Sequence, residues 1–159
     1  MKVRLFAVTH RQPDWVIAGE REYGKRLPRE WGFELVDVKP GARQKGTSVE
    51  RIREQEAARL TTELDKFARR PLVIALDERG KNWRTDDLVG KLRDWQQDGR
   101  DLAFVIGGAD GFDREFLGTA DQRWALSAAT LPHGLVRVIV VEQLYRAASM
   151  LAGHPYHRA

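Results

Sequence analysis

The pattern of apolar and polar positions divides the chain into alternating strands and helices. Val3, Leu5 and Ala7 alternate with Lys2, Arg4 and Phe6, which predicts a strand. Pro13 is placed to open a helix, with Asp14 near its positive end, and the helix is expected over 15–27, ending before Pro28. A second strand is expected over 31–38, then a basic loop over 40–46. Thr47-Ser48-Val49-Glu50 reads as a capping box, with Thr47 as the cap, for a helix running to Phe67. Leu60, Leu64 and Phe67 share one face of it. Pro71 precedes a strand over 72–76. Thr85 is expected to cap a third helix with Leu88, Leu92 and Trp95 as its buried stripe, closed by Asp98-Gly99. The apolar run 102–106 suits the centre of a sheet. This alternation implies an α/β fold with a mostly parallel sheet.

Beyond Ile106 the pattern changes. Gly107-Gly108-Ala109-Asp110-Gly111 is a glycine loop, followed by a short helix over 113–119 and a last strand over 124–127. Residues 127–134 form a loop of small residues closing on Pro132-His133-Gly134. The final helix, expected over 135–151, is apolar around most of its circumference, whereas a surface helix carries one apolar stripe. A subunit interface or a central position in a monomer's core would cover it. Arg137, Glu142 and Arg146 interrupt that surface and need partners or a function. The 142/146 spacing permits an ion pair one turn apart.

Composition narrows the possibilities. The chain has 159 residues, 42% hydrophobic and 31% charged, which fits one packed domain over 1–159. The net charge of +4 permits an anionic partner without requiring one. With no cysteine, disulfides, thiolate nucleophiles and cysteine-ligated zinc are excluded. His154 and His157 have a metal-like spacing, but nothing beside them completes a ligand set, so no metal is expected. No apolar run is long enough to span a bilayer, and the first residues do not read as a signal peptide; a cytoplasmic protein without membrane contact is expected.

A glycine loop after a buried strand lies where open parallel sheets bind ligands. It lacks Gly-x-Gly-x-x-Gly and any Walker-type lysine, which disfavours dinucleotide and nucleotide folds. Either a tight turn or a ligand loop explains it. His133, His154 and His157 cluster near Tyr156 and Arg158, where a titrating imidazole suits proton handling.

The stretch from Leu126 to His133, the runs Leu135-Val136-Arg137-Val138 and Val141-Glu142-Gln143-Leu144-Tyr145-Arg146-Ala147, and the tail His154-Pro155-Tyr156-His157-Arg158 resemble the ribosomal large subunit methyltransferase H family. Val3 to Val8, Pro13-Asp14-Trp15, Leu76-Asp77 and Gly107-Gly108 extend the resemblance over the whole chain. The resemblance implies a SPOUT-type α/β knot with a C-terminal trefoil knot, a rare exception to ordinary chain topology. It implies a homodimer that transfers a methyl group from S-adenosylmethionine to N3 of a pseudouridine in helix 69 of 23S rRNA within the ribosome.

By position, the cofactor site falls on Leu76, Gly107, Gly108, Leu126, Ser127, Ala128, Ala129, Thr130 and Leu131. The candidate catalytic set is His133, Arg137, Glu142, Arg146, Tyr156, His157 and Arg158. In it His133 or His157 takes the imide proton, an arginine stabilises the uridinate, Tyr156 orients the base and Glu142 holds an arginine. RNA grip is expected from Lys25, Arg26, Arg29, Lys39, Arg43 and Lys45, with Arg79, Lys81 and Arg84 as further candidates. A SPOUT enzyme acting on tRNA and a catalytically silent RNA-binding module are the competing readings.

Overall fold

A computed structural model describes residues 1–158, with side chains through His157. Its elements run β1 (Val3–Val8), α1 (Asp14–Gly24), β2 (Glu34–Val38), α2 (Val49–Phe67), β3 (Leu72–Asn82) and α3 (Thr85–Asp98). Then follow β4 (Leu102–Ile106), α4 (Arg114–Thr119), β5 (Gln122–Ala125) and α5 (His133–Leu151). The five strands form one sheet in the order β2-β1-β4-β3-β5, and every pairing is parallel. The α/β class and mostly parallel sheet expected from the alternation are therefore present.

The pleat of each strand assigns its side chains to two apolar layers. Val3, Leu5 and Ala7 of β1 and Leu102, Phe104 and Ile106 of β4 share a core with Leu88, Leu92 and Trp95 of α3 and Val140, Val141, Leu144 and Ala147 of α5. Phe6, Val8, Ala103 and Val105 point to the opposite layer, beside Leu60 and Leu64 of α2 and Phe116 of α4. Phe6 is thus buried, although its place in the alternation suggested a solvent face; helices cover both faces of the sheet, as parallel sheets require.

Several boundaries differ from expectation. Trp31 lies in a short 3₁₀ turn, Arg29–Trp31, so β2 begins only at Glu34. The cap of α2 is Ser48 rather than Thr47: its Oγ accepts from the Arg51 amide at 3.1 Å. Thr85 is inside α3 rather than capping it, and its hydroxyl reaches Gln143 Oε1 at 2.9 Å. Asp87 instead satisfies the Arg84 amide at 2.7 Å. Gly99 ends α3 as expected, at φ +80°, a conformation that costs glycine little.

The largest difference is β3. It continues to Asn82 through a bulge, since both Leu76 and Lys81 pair with Trp124. Trp124 stacks on Trp83 with centroids 5.0 Å apart, which seals the bulge against the core.

Candidate active site

The carboxyl ends of β3, β4 and β5 and the loop before α5 enclose a cavity of ≈ 400 Å³. A crevice beyond the strand ends is where open α/β sheets place ligands. Leu76 enters it just before the bulge. Gly107 and Gly108 enter from the end of β4, and Leu126, Ser127, Ala129, Thr130 and Leu131 from the loop. Ala128 is in the same loop but does not line the cavity.

The glycine loop has little room for side chains. A Cβ on Gly107 would stand 3.3 Å from the Phe112 ring and the Gly111 backbone, and one on Gly108 would stand 2.6 Å from Glu56 Oε1. The Gly111 amide closes the turn on the Gly108 carbonyl at 3.0 Å, with Gly111 at φ +78°. Arg53 Nε donates to the Asp110 carbonyl at 2.7 Å, and Arg43 pairs with the Asp110 carboxylate. Glu56 is buried, and its Oε2 accepts the Gly41 amide at 2.9 Å. α2 therefore ties the glycine loop to the basic loop over 40–46.

His133 is the first residue of α5 and borders the cavity. Both ring nitrogens are buried without a hydrogen-bond partner among the described residues. Burial holds its pKa below the ordinary histidine value, the Arg137 charge adds to this, and the backbone of Gly107 and Val8 pulls weakly the other way. The positive end of a helix also disfavours an imidazolium. Burial, the Arg137 charge and the helix end therefore all favour the neutral form of His133.

Arg137, one turn further on, is 1% exposed. Its Nε and Nη2 each lie 2.9 Å from Glu20 Oε2, and Nη1 lies 2.8 Å from Asp37 Oδ1. Burial raises the Glu20 pKa despite the arginine. This side chain is enclosed between α1, β2 and α5, with two carboxylates already upon it, and is not free to meet a substrate anion.

The remaining candidates gather at the far end of α5. Glu142 Oε1 accepts from Arg146 Nε at 2.8 Å, which realises the expected pair one turn apart. Tyr156 Oη lies 3.3 Å from the same oxygen, its ring 4.5 Å from that of Tyr145 and 5.0 Å from the Arg146 guanidinium. Burial, then the Glu142 charge, push the Tyr156 phenol up to about 12, so it remains protonated and can donate. His157 Nδ1 contacts the His154 carbonyl at 2.8 Å. The side chain of Arg158 lies outside the described residues. Nine residues of helix separate His133 from Glu142, roughly 13 Å at 1.5 Å per residue. Within one chain the candidate catalytic residues thus form two groups, with Arg137 enclosed between them.

Sequence reasoning misses Glu56, Glu20 and Asp37. Glu56 had a signal: it lies four residues before Leu60 on the buried stripe of α2. Glu20 and Asp37 had none, being 117 and 100 residues from Arg137. Among the described residues no three histidine, cysteine or acidic side chains are grouped to hold a metal, and no helix is long and apolar enough to cross a membrane.

The chain is a SPOUT methyltransferase: the family described as predicted SPOUT methyltransferase matches residues 1–157. Within that class, the chain belongs to the ribosomal RNA large subunit methyltransferase H family. It is 48% identical to the protein of that name from Nitrosospira multiformis over 159 residues, covering 100% of both chains. It is 49% identical to that from Paraburkholderia xenovorans, covering 99% of both. Among solved structures, the tRNA (m1G37) methyltransferase of Aquifex aeolicus matches with a TM-score of 0.59 and 16% identity, over 95% of this chain and 70% of that one. A probable methyltransferase from Bordetella pertussis matches with a TM-score of 0.58 and 16% identity, over 92% and 96%. At such identity these two structures speak for the fold alone.

Proposed function

We propose that this protein transfers a methyl group from S-adenosylmethionine to N3 of a pseudouridine in helix 69 of 23S rRNA, acting in the cytoplasm on the assembled ribosome as a homodimer. The observation that carries the reading is the cavity ringed by Gly107, Gly108 and the 126–131 loop with a neutral His133 at its edge. The names of the full-length relatives supply the RNA class.

The residues present fit the cofactor. Gly107, Gly108, Ser127 and Ala129 allow close approach to a nucleoside, and ≈ 400 Å³ is within the usual range for a small-molecule pocket. Two lining residues, Asp77 and Trp124, bury a carboxylate oxygen (Oδ2) and an indole nitrogen (Nε1) that lack partners among the described residues. Such groups are normally satisfied, and a polar ligand would do so.

S-adenosylmethionine supplies an electrophilic methyl on its sulfonium. The chain has to position the base and accept the imide proton from N3. His133 receives that proton, directly or through one water. Arg146 and Arg158 neutralise the uridinate charge, Tyr156 stacks on or orients the base, and Glu142 holds Arg146. The tail group lies roughly 13 Å along α5 from His133, and in the proposed homodimer the second copy supplies it. Leu135 at 39% and Trp15 at 58% exposure leave apolar surface on α5 and α1 for that contact.

Calorimetry with S-adenosylhomocysteine tests the cofactor site. The protein should bind it, and Gly108→Val should weaken binding at least tenfold, about 1.4 kcal/mol, because the new Cβ meets Glu56. The variant's thermal melt controls for folding. No binding by the unaltered protein, or equal binding by a folded Gly108→Val, would contradict the reading.

A further inference from the structure

A second cleft lies on the other flank of the β3 bulge. Its volume is ≈ 520 Å³, and Arg79, Lys81, Lys91 and Arg123 line it beside Trp83 and Asp121. Its floor is backbone: a Cβ on Gly80 would stand 2.7 Å from the carbonyl carbon and oxygen of Arg123. Arg79 lies within the bulge, between the two registers of β3, and Lys81 is where pairing with Trp124 resumes.

None of the four cations makes an ion pair among the described residues. Arg123 has only a 3.4 Å contact with the Leu117 carbonyl, and Lys91 Nζ rests 4.5 Å from the centroid of Trp83. Asp121 is already engaged. Its Oδ2 accepts the Val73 amide at 2.8 Å, and its Oδ1 lies 3.8 Å from Arg100. Of the other cations expected to grip RNA, Lys25 and Arg26 share Glu22 and Arg43 pairs with Asp110, whereas Arg29, Lys39, Lys45 and Arg84, also without an ion pair among the described residues, do not line this cleft. Four unpaired cations converging on one concave surface repel one another and raise the local concentration of anions.

The cleft adjoins the cofactor cavity through its own strands. On β3, Asp77 and Glu78 line the cavity while Arg79, Gly80 and Lys81 line the cleft. On β5, Trp124 lines the cavity and Arg123 the cleft. We propose that this cleft is a second RNA-contact site, which holds the sugar–phosphate backbone of the rRNA strand flanking the methylated base. The inference rests on the rRNA reading above and specifies which surface grips that RNA. Lys91 and Arg123, on α3 and β5, join Arg79 and Lys81 there only through the fold.

The test compares two variants of equal charge loss. One is Arg79→Ala/Lys81→Ala/Arg123→Ala. The other, Arg11→Ala/Arg51→Ala/Lys66→Ala, removes exposed paired cations outside both sites. Binding of each labelled protein to vacant ribosomes is followed by fluorescence anisotropy across a monovalent salt series, and calorimetry with S-adenosylhomocysteine runs in parallel. The cleft variant should lose about ten- to a hundredfold in ribosome affinity at low salt. Its log–log salt slope should be shallower by about 2, from three lost phosphate contacts at 0.7–0.9 each. Its affinity for S-adenosylhomocysteine should stay within twofold, and the paired-cation variant should lose less than threefold on ribosomes. Ribosome binding within twofold of the unaltered protein, or an equal loss in both variants, overturns the cleft. If the unaltered protein binds S-adenosylhomocysteine but not ribosomes, the rRNA reading itself fails and the cleft falls with it.

Discussion

Replacing His133 by alanine should lower kcat for methyl transfer by about a hundredfold to ten-thousandfold, the usual contribution of a positioned general base. KM for the cofactor should change little, because His133 only borders a cavity whose wall comes mainly from β3, the glycine loop and the 126–131 loop. The pH profile gives a second, independent reading. Burial holds the folded His133 below its ordinary value of 6.5, so the neutral, proton-accepting form persists into mildly acidic solution. The activity of the unaltered enzyme should therefore be flat above pH 6.5 and fall only as pH drops through the lower, folded pKa. His133→Ala should lose that acidic limb along with its rate. A rate within threefold of normal would transfer the proton-accepting role to another group, His157 being the next candidate.

Arg137→Met should destabilise the protein by about 3–5 kcal/mol, because breaking a buried pair leaves a carboxylate without its counter-charge. Glu20, with 12% exposure, bears that cost; Asp37, at 45%, is solvated and bears little. The thermal midpoint should drop by roughly 10 °C, given about 2–4 °C per kcal/mol in a chain of this size. Adding Glu20→Leu should recover most of the loss, since an apolar replacement for a buried pair is often neutral or better. A loss of activity in Arg137→Met without loss of stability would instead return the arginine to the catalytic set.

Much of the fold can be read from the chain, and the misses have physical causes. β4 is five consecutive buried apolar residues between two turns, which leaves little choice but a central strand. The extension of β3 through Asp77-Glu78-Arg79-Gly80-Lys81 cannot be read this way, because a polar run with a glycine resembles a loop. It becomes strand only by pairing with β5, a tertiary effect that local propensity does not contain. The two-sided burial of Phe6 has the same origin, since α2 and α4 supply the second cover.

The candidate site divides likewise. The glycine loop and the 126–131 loop are adjacent in sequence to the strands that place them, so their convergence follows from a parallel sheet. The charges of Arg137 are visible amid an apolar helix, but their partners are distant in the chain, so enclosed and exposed roles look alike there. The separation of His133 from Glu142, Arg146 and Tyr156 also emerges only when α5 is seen as one uninterrupted helix. The constellation that looks compact in sequence thereby separates into two groups along α5, which the proposed homodimer would bring together.

The central claim is the identity of the methylated atom. Ribosomes from a strain lacking the modification would be incubated with the protein and S-adenosylmethionine, and the rRNA digested and sequenced by mass spectrometry. The account predicts one added methyl group, on N3 of a pseudouridine in helix 69 of 23S rRNA. An unmodified helix 69, or methyl transfer to tRNA under the same conditions, would contradict it.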